Sequence, residues 1–217
     1  MILAAGRGER MMPLTKNTPK PLIKVKGITL IEHSIKMLKK ANIIDIVINI
    51  AYLGAQIKTH LGNGSSFGVN ISYSDEQNNA LETAGGIIKA LPLLDKDPFI
   101  VINSDVLCDY DLSEIKLPKN SLAHLLLIDN PEHNPEGDFS IGNNQQLTLV
   151  NNKSLTFSGI GIYHPDFFKH HLNSQGKLPL YPLLKEAINN NQLSGEHYSG
   201  NWSDIGTPER LKIFENS

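Results

Sequence analysis

The chain opens with a short apolar stretch that runs directly into a loop containing glycine and cationic side chains. Residues 1–4 are apolar, and the loop that follows contains Gly6, Gly8 and Arg10. Glycines let backbone N–H groups approach a phosphate closely, and a nearby guanidinium adds positive charge. Open α/β sheets bind ligands at the carboxyl ends of their strands. This beginning therefore predicts a phosphate-binding site at the edge of an α/β sheet.

Stretches of strand length alternate with stretches of helical period through the first half of the chain. Strands are predicted at residues 1–4, 46–50, 69–73 and 99–102, and helices at residues 30–40, 53–61 and from Leu81 onward. Thr29 and Glu32 have capping-box spacing at the start of the first helix, and Gly62 follows the second, where a positive φ would end it. This alternation predicts βαβ units and a mostly parallel sheet.

The second half of the chain is predicted to extend this sheet. Strands are expected at residues 122–128, 146–150 and 156–163, and helices at residues 165–172, 181–190 and 208–216, the last with Thr207 as its N-cap. No repeat or long linker divides the chain. We therefore predict a single α/β domain over residues 1–217, with a mostly parallel mixed sheet flanked by helices.

The charge balance of the chain excludes several classes of partner. With 20 Lys and Arg against 22 Asp and Glu, the net charge is −2, so no general basic surface is available for nucleic acid or anionic membranes. Cys108 is the only cysteine, which rules out an intrachain disulfide. No apolar run approaches the roughly 20 residues needed to span a bilayer, and Gly6 interrupts the opening stretch too early for a secretory signal. These features predict a cytoplasmic protein with small anionic ligands.

Two common phosphate-binding motifs do not fit the amino-terminal loop. A dinucleotide fingerprint would need its third glycine at position 11, which is Met11, and the Gly-Lys-Ser/Thr of a P-loop is absent. A dinucleotide-dependent oxidoreductase is therefore disfavoured. The loop continues instead to Lys20, which stands between Pro19 and Pro21. Because proline fixes its own φ and restricts the residue before it, we expect this lysine to be held in place.

Two aspartates that are distant in the sequence are the candidate metal ligands. Asp105 follows a strand of buried type, and Asp204 lies within residues 202–207. Two carboxylates suit an octahedral Mg²⁺ that takes its other ligands from phosphate oxygens and water. Asp109 and Asp111 are alternative ligands, and either of the first two aspartates could instead cap a turn.

The run from Leu3 to Thr15, followed by residues 18–22, resembles the loop of the sugar-1-phosphate nucleotidyltransferase family. The resemblance implies a Rossmann-like nucleotide-diphospho-sugar transferase fold and a Mg²⁺-dependent enzyme that joins a nucleoside triphosphate to a sugar 1-phosphate. It implies nucleotide binding by Ala5, Gly6, Gly8, Glu9, Arg10, Lys20, Glu82 and Gly85, catalytic roles for Arg10, Lys20 and Asp105, and Mg²⁺ ligation by Asp105 and Asp204. The family usually has Gly-Asp where this chain has Ser104-Asp105, a departure that keeps the carboxylate.

Four downstream stretches resemble the branch of this family that uridylylates N-acetylmuramic acid 1-phosphate in peptidoglycan recycling. They cover residues 101–106, 129–139, 155–160 and 195–207. The resemblance implies UTP and this sugar phosphate as substrates, with Asn103, Gly137, Asp138, Ser158 and Glu196 facing the sugar. It also implies a nucleotide-binding half at residues 1–110 and a sugar-phosphate-binding half at residues 111–217, in a monomer or small homo-oligomer. Family members usually have a few residues before the equivalent of Met1, so the first strand is expected to be shortened at its amino-terminal end.

Other functions and other roles for single residues stay open. The same chemistry on GTP with mannose 1-phosphate or dTTP with glucose 1-phosphate is one alternative, and a non-catalytic nucleotide-sensing subunit is another. Gly85 and Gly86 could serve helix packing rather than base binding, and Trp202 could belong to the core or line the sugar site. The histidines lack metal-site spacing and are expected at the surface, and Cys108 lacks an activating motif.

Overall fold

A sheet with helices on both faces forms the centre of the molecule. The computed structural model describes residues 1–77, 80–149, 154–174 and 176–216. The strands are β1 (Ile2–Leu3), β2 (Lys24–Val25), β3 (Ile28–Thr29), β4 (Asp45–Ile50), β5 (Asn70–Asp75), β6 (Phe99–Asn103), β7 (Val106–Cys108), β8 (Ala123–Ile128), β9 (Phe139–Ile141), β10 (Leu147–Leu149), β11 (Thr156–Tyr163), β12 (Leu193–Tyr198) and β13 (Trp202–Asp204). The α-helices are α1 (Leu30–Lys40), α2 (Gly54–Leu61), α3 (Glu82–Ala90), α4 (Leu180–Asn189) and α5 (Pro208–Asn216). No helix in these described segments has both the length and the apolar character needed to cross a membrane.

Within the described residues, the central sheet has seven strands in the order β12, β8, β11, β6, β1, β4, β5. β1 pairs parallel with β4 on one side and with β6 on the other, and β4 pairs parallel with β5. β12 is parallel to β8, whereas β11 is antiparallel to both of its neighbours. The predicted α/β domain with a mostly parallel mixed sheet is confirmed. Because the chain passes from β5 to β6 on the other side of β1, a topological switch point lies at the carboxyl ends of β1 and β6.

The ends of three helices follow the signals seen in the sequence. At the start of α1 the backbone N–H and the hydroxyl of Thr29 donate to Glu32 Oε2 at 2.6 and 2.9 Å. Gly62 ends α2 with a φ of 56°. Thr207 precedes α5, and its hydroxyl accepts a hydrogen bond from the backbone N–H of Arg210 at 3.3 Å. Local side-chain chemistry therefore sets these helix boundaries.

Two hydrophobic clusters fill the layers between the sheet and its helices. The first cluster contains Ile87 of α3 and Leu184 of α4, and the second contains Ile35 of α1 and Ile57 of α2. Successive strand residues point to opposite faces, and β4 accordingly contributes residues to both clusters. A strand covered on both faces must be apolar almost throughout, which accounts for the composition of β4.

A third, smaller cluster ties the amino-terminal loop to the last helix. Met11 is fully buried there with Leu30 of α1, Leu107 of β7, Ile205 and Leu211 of α5. The side chain that replaces the third glycine of a dinucleotide fingerprint is thus a hydrophobic anchor. It fixes the loop against α1, α5 and the antiparallel pair that β7 forms with β13.

Differences from the predicted elements lie in both halves of the chain. The strands β2, β3 and β7 of the first half and β9, β12 and β13 of the second half are not predicted. The segment predicted as a helix at residues 165–172 is a 3-10 helix over Pro165–His171. β12 is poor in β-branched residues, but all six of its residues pair with β8, so tertiary pairing overrides weak strand propensity. The strand predicted at residues 146–150 is found at Leu147–Leu149, and Val150 lies outside the described residues.

Candidate active site

A cleft of about 550 Å³ opens at the carboxyl ends of β1, β4 and β6. Leu3 of β1 pairs with Asn49 of β4 on one side and with Asn103 of β6 on the other, so two amides meet at the cleft. The predicted site residues that line the cleft are Ala5, Gly6, Gly8, Glu9, Arg10, Lys20, Glu82, Asn103 and Asp105. The fold therefore gathers most of the predicted nucleotide-binding residues at the switch point of the sheet.

The amino-terminal loop owes its shape to Gly8. This residue has a φ of 64°, in the left-handed region that favours glycine, and it precedes a 3-10 turn over Glu9–Met11. Its carbonyl accepts a hydrogen bond from the hydroxyl of Thr15 at 2.8 Å. A Cβ atom at Gly8 would lie 2.9 Å from Lys20 Cβ. Glycine is therefore needed both for the turn and for the close approach of Lys20.

Lys20 and Asp105 form a hydrogen-bonded ion pair in the cleft. Lys20 Nζ donates to Asp105 Oδ2, and the two side chains are 13% and 20% exposed. Lys20 opens a 3-10 turn over Lys20–Leu22, directly after the extended Pro19. An ammonium group has three N–H donors, so Lys20 can hold Asp105 and still donate to a phosphate oxygen.

The backbone places Asp105 and Asp204 on adjoining segments. Asp204 of β13 is paired with Val106 of β7, and the N–H of Ile205 donates to the carbonyl of Asp105 at 2.9 Å. The described residues contain no cluster of three or more His, Cys, Asp or Glu that could hold a metal with protein ligands alone. Asp105 lines the cleft but Asp204 does not, so ligation of one Mg²⁺ by both carboxylates, with water and phosphate oxygens as its other ligands, stays a prediction.

The alternative metal ligands lie elsewhere. Asp109 accepts hydrogen bonds from Tyr198 and from Asn201 Nδ2, the latter at 2.8 Å. Asp111 accepts from the hydroxyl of Ser113 at 2.8 Å. Neither aspartate lines the cleft. Asp109 thus links the segment after β7 to residues 198–201, whereas Asp111 serves a local turn.

A second groove, of about 340 Å³, opens beside the segment that carries Asp204. Arg210 Nη1 donates to Asp204 Oδ1 in this groove, and His133 Nε2 lies 3.0 Å from Arg210 Nη1. Gly206 lines the cleft, and a Cβ atom added there would collide with Arg210 Nη2 and lie 3.0 Å from Asp204 Oδ2. The cleft and the groove therefore share one wall, which is thin because residue 206 has no side chain.

Asn49 and Glu76 are buried polar residues of the cleft that the sequence analysis does not identify. Each is 3% exposed. Asn49 Oδ1 accepts from the N–H of Ala4 at 2.8 Å, and Asn49 Nδ2 donates to Glu76 Oε1 at 2.7 Å. Glu76 Oε2 accepts from the N–H of Leu81 at 2.7 Å. The network ties the start of the loop to the start of α3, and its one sequence signal is a polar residue inside the apolar strand β4.

Gly85 and Gly86 serve close packing on different sides of α3. A Cβ atom at Gly86 would lie 2.5 Å from Glu76 Oε1, so this glycine makes room for the buried carboxylate. Gly85 is buried, and its N–H donates to the carbonyl of Leu178 at 3.0 Å. Gly85 does not line the cleft, and its role in nucleotide binding stays a prediction.

The residues predicted to face the sugar lie in different surroundings. Asn103 lines the cleft, whereas Ser158 is 1% exposed. Asp138 Oδ2 accepts from the N–H of Phe157 at 2.8 Å, next to Gly137 with its φ of 67°. These contacts fix the loop that follows β8.

Glu196 and Trp202 take part in contacts between strands. Glu196 Oε1 accepts from the hydroxyl of Tyr110 at 2.6 Å, and the buried His124 lowers the pKa of this carboxyl group through a hydrogen bond. Trp202 is half-buried, donates from Nε1 to the carbonyl of Ser158 at 2.9 Å and lines the groove. Both interpretations of Trp202, as core and as a site wall, therefore have support. The direct contact of these residues with a sugar stays a prediction.

The chain belongs to the nucleotidyl transferase family, whose sequence profile matches residues 1–215. Among curated relatives, the N-acetylmuramate alpha-1-phosphate uridylyltransferase of Neisseria meningitidis serogroup B is 48% identical, over 98% of this chain and 94% of the relative. The enzyme of the same name from Caulobacter vibrioides is 30% identical, over 96% of this chain and 92% of the relative. A crystal structure assigned as a glucose-1-phosphate thymidylyltransferase from Bacillus anthracis superposes with a TM-score of 0.85 and 25% identity, over 99% of this chain and 92% of that chain. The predicted nucleotidyltransferase fold is thereby confirmed.

Proposed function

We propose that this protein transfers the uridylyl group of UTP to N-acetylmuramic acid α-1-phosphate, giving UDP-N-acetylmuramic acid and pyrophosphate, in peptidoglycan recycling. The observation that carries the substrate assignment is the 48% identity to the N. meningitidis uridylyltransferase over nearly the full length of both chains. The cleft supports the reaction class, because a phosphate-type loop and the Lys20–Asp105 pair converge there.

The reaction is a direct displacement at phosphorus. A phosphate oxygen of the sugar phosphate attacks the α-phosphorus of UTP, and the bond from that phosphorus to the oxygen bridging the α- and β-phosphates breaks. The electron pair leaves with pyrophosphate. A phosphate monoester has a second pKa of about 6 and is largely dianionic at pH 7, so no side chain has to remove a proton from it.

The main barrier to this reaction is the repulsion between two anions. In the proposed mechanism Arg10 and Lys20 neutralise phosphate charge, and the backbone of the loop at Gly6, Gly8 and Glu9 cradles the triphosphate. Because Lys20 is held between two prolines and against Asp105, little freedom is lost when it takes a phosphate. Positioning and charge neutralisation supply most of the rate in phosphoryl transfer generally.

Members of the nucleotidyl transferase family generally use a divalent metal ion, and we propose Mg²⁺ held by Asp105 and Asp204. When bound, the ion would neutralise charge on the phosphates. Lys20 is hydrogen-bonded to the first carboxylate and Arg210 to the second, so each proposed ligand is already oriented by a cation. Binding of Mg²⁺ can be measured directly by calorimetry on the wild type and on Asp204→Asn, with a weaker affinity expected for the variant.

The two halves of the chain have separate parts in the proposal. Residues 1–110 bind UTP, and residues 111–217 bind the sugar phosphate. The lining of the cleft supports this division. Among the described residues, Gly206 is the only residue of the second half that lines the cleft. Glu82 and Gly85 remain the candidates beside the base, and Asn103, Gly137, Asp138, Ser158 and Glu196 those around the sugar. A reaction that consumes UTP also favours the cytoplasm.

The test is pyrophosphate release by the purified chain with Mg²⁺, across UTP, GTP, dTTP and ATP and a set of sugar 1-phosphates. The set contains N-acetylmuramic acid, N-acetylglucosamine, glucose and mannose 1-phosphates. We expect release with UTP and the muramic sugar, and mass spectrometry identifies the nucleotide sugar formed.

Each other result has a distinct meaning. Release with a different pair keeps the reaction class and overturns the substrate. If no pair gives pyrophosphate, although calorimetry shows that the protein binds nucleotide, then the protein is a nucleotide-sensing subunit and the catalytic proposal is wrong.

A further inference from the structure

We propose that Arg210, together with His133, binds the carboxylate of the lactyl ether that distinguishes N-acetylmuramic acid from N-acetylglucosamine. The inference rests on the proposed function and adds the residues that select the sugar. The two sugars share the ring, the acetamido group and the anomeric phosphate. They differ in the lactyl group on O3, which carries one negative charge at neutral pH. Selection of the muramic sugar therefore needs a cation near the sugar but away from the phosphate-binding loop.

Arg210 is positioned between the cleft and the groove. Its Nη2 lies so close to Gly206 that even a methyl group there would collide with it, and Gly206 itself lines the cleft. The side chain of Arg210 is 18% exposed and lines the groove with Asp204, His133 and Trp202. A sugar whose phosphate lies near Lys20 and Asp105 can thus extend toward the groove across the wall formed by Gly206.

Arg210 has donors to spare for a second carboxylate. Asp204 and His133 both engage its Nη1 atom. A guanidinium has five N–H donors in a planar fork that matches a carboxylate, so the bond to Asp204 uses only part of its capacity. The existing contact also holds the fork in one orientation, which reduces the entropy lost when a ligand binds.

The acidic residues of the groove do not prevent the binding of an anion. Asp129 is exposed, and its Oδ1 lies within hydrogen-bonding distance of His197 Nε2, at 3.0 Å. Glu132 is exposed, so water and salt screen its charge. Asp204 is neutralised by Arg210. The least exposed charges of the groove are therefore the Arg210–Asp204 pair, and the guanidinium donors that Asp204 leaves free can bind a second carboxylate.

The test compares two sugar phosphates on the same variants. Values of kcat/KM are measured by pyrophosphate release for UTP with N-acetylmuramic acid 1-phosphate and with N-acetylglucosamine 1-phosphate. A hydrogen-bonded ion pair lost from a binding site costs about 1.5–3 kcal/mol, which is roughly a ten- to hundredfold change. We expect Arg210→Met to lower kcat/KM for the muramic sugar at least about tenfold more than for the other sugar, mainly through KM.

Two further variants keep the experiment decisive. Lys212→Met removes an exposed cation from the same helix, away from the groove, and should leave the ratio of the two kcat/KM values unchanged. His133→Gln changes the second residue without removing the partner of Asp204, and it should shift the ratio in the same direction as Arg210→Met. It also replaces that variant if Arg210→Met fails to fold.

The outcomes separate this inference from the proposed function. An equal loss of kcat/KM for both sugars in Arg210→Met would mean that Arg210 acts only through Asp204. No loss for either sugar would mean that Arg210 does not contact the substrate. Both results overturn the inference. A wild-type protein that uses UTP but does not prefer the muramic sugar would overturn the inference and the substrate assignment while keeping the reaction class. A wild-type preference for the muramic sugar that survives in Arg210→Met and in His133→Gln would leave the proposed function standing and reject the inference alone.

Discussion

Lys20 Nζ donates a hydrogen bond to the carboxylate of Asp105, although the two residues lie 85 positions apart in the sequence. One residue comes from the loop after β1 and the other from the turn after β6, so the parallel pairing of these two strands brings them together. The pair joins a proposed phosphate ligand to a proposed metal ligand. The attraction between the two opposite charges holds each side chain in the position in which it would contact a triphosphate.

We expect Lys20→Met and Asp105→Asn each to lower kcat by at least about a hundredfold, because each removes one preorganised charge from the reaction site. Initial rates of pyrophosphate release at saturating substrates measure the change. Lys16→Met is the matched control, since Lys16 is exposed and lies outside the cleft. A loss below tenfold in the first two variants would contradict their assigned roles.

Glu76→Gln should destabilise the fold by about 1–3 kcal/mol, the usual cost of an unsatisfied buried polar group. Glu76 accepts from Asn49 Nδ2 and from the N–H of Leu81, and an amide can accept from only one of them. Asn49 cannot turn its oxygen toward the new amide without losing the N–H of Ala4. Urea unfolding followed by circular dichroism measures the difference.

Asp75→Asn is the control for Glu76→Gln. Asp75 is the adjacent residue but is exposed and pairs with Lys58 at 3.0 Å on the surface. Loss of an exposed ion pair costs about 0–1 kcal/mol. Equal effects of the two substitutions would show that the buried network has no special part in stability.

The capping carboxylate of α1 should make stability depend on pH. Burial raises the pKa of Glu32, but hydrogen bonds from Thr29 and the nearby His60 outweigh this effect and leave the pKa below its usual value of 4.5. A carboxyl group with a lowered folded-state pKa contributes stability above its unfolded pKa, and loses it as the pH falls through the folded value. The stability difference between wild type and Glu32→Gln should therefore be largest at pH 6–7 and narrow toward pH 3. A difference that stayed constant over this range would argue against the assignment.

Cys108 should react slowly with thiol reagents near neutral pH. Burial raises the pKa of this thiol to about 11, so little thiolate is present at pH 8. Labelling with Ellman's reagent should be much slower than that of free N-acetylcysteine at pH 8, and should accelerate as the pH approaches 10. Labelling of the urea-unfolded chain provides the reference for full exposure. Rapid labelling of the folded protein at pH 8 would show that the thiol is not desolvated.

The sequence is sufficient to predict the parts of the fold that local chemistry determines. The capping box at Thr29 and Glu32, the positive φ at Gly62 and the apolar strand β4 each depend on a few neighbouring residues. The left-handed turn at Gly8 is equally local, and the neighbouring Gly6, Glu9 and Arg10 line the cleft with it. Such features can be predicted because they require no knowledge of distant partners.

The parts that were not predictable depend on residues that are distant in the sequence. β12 is a strand because it pairs with β8, and Glu76 belongs to the site because Asn49 and the start of α3 meet it there. Gly86 illustrates the same limit, since its position in the sequence indicates a tight contact but not the carboxylate that it accommodates. Tertiary contacts, rather than propensity, decide these cases.

The burial of Met11 against Leu211 links the first loop of the chain to its last helix. During synthesis the ribosome makes the loop first and the helix that supports it last. A polypeptide released before α5 has emerged would carry every residue of the amino-terminal loop but would leave part of the pocket around Met11 open. Met11 would then gain its full set of apolar contacts only after α5 has been made, so the loop would reach its final packing late in synthesis.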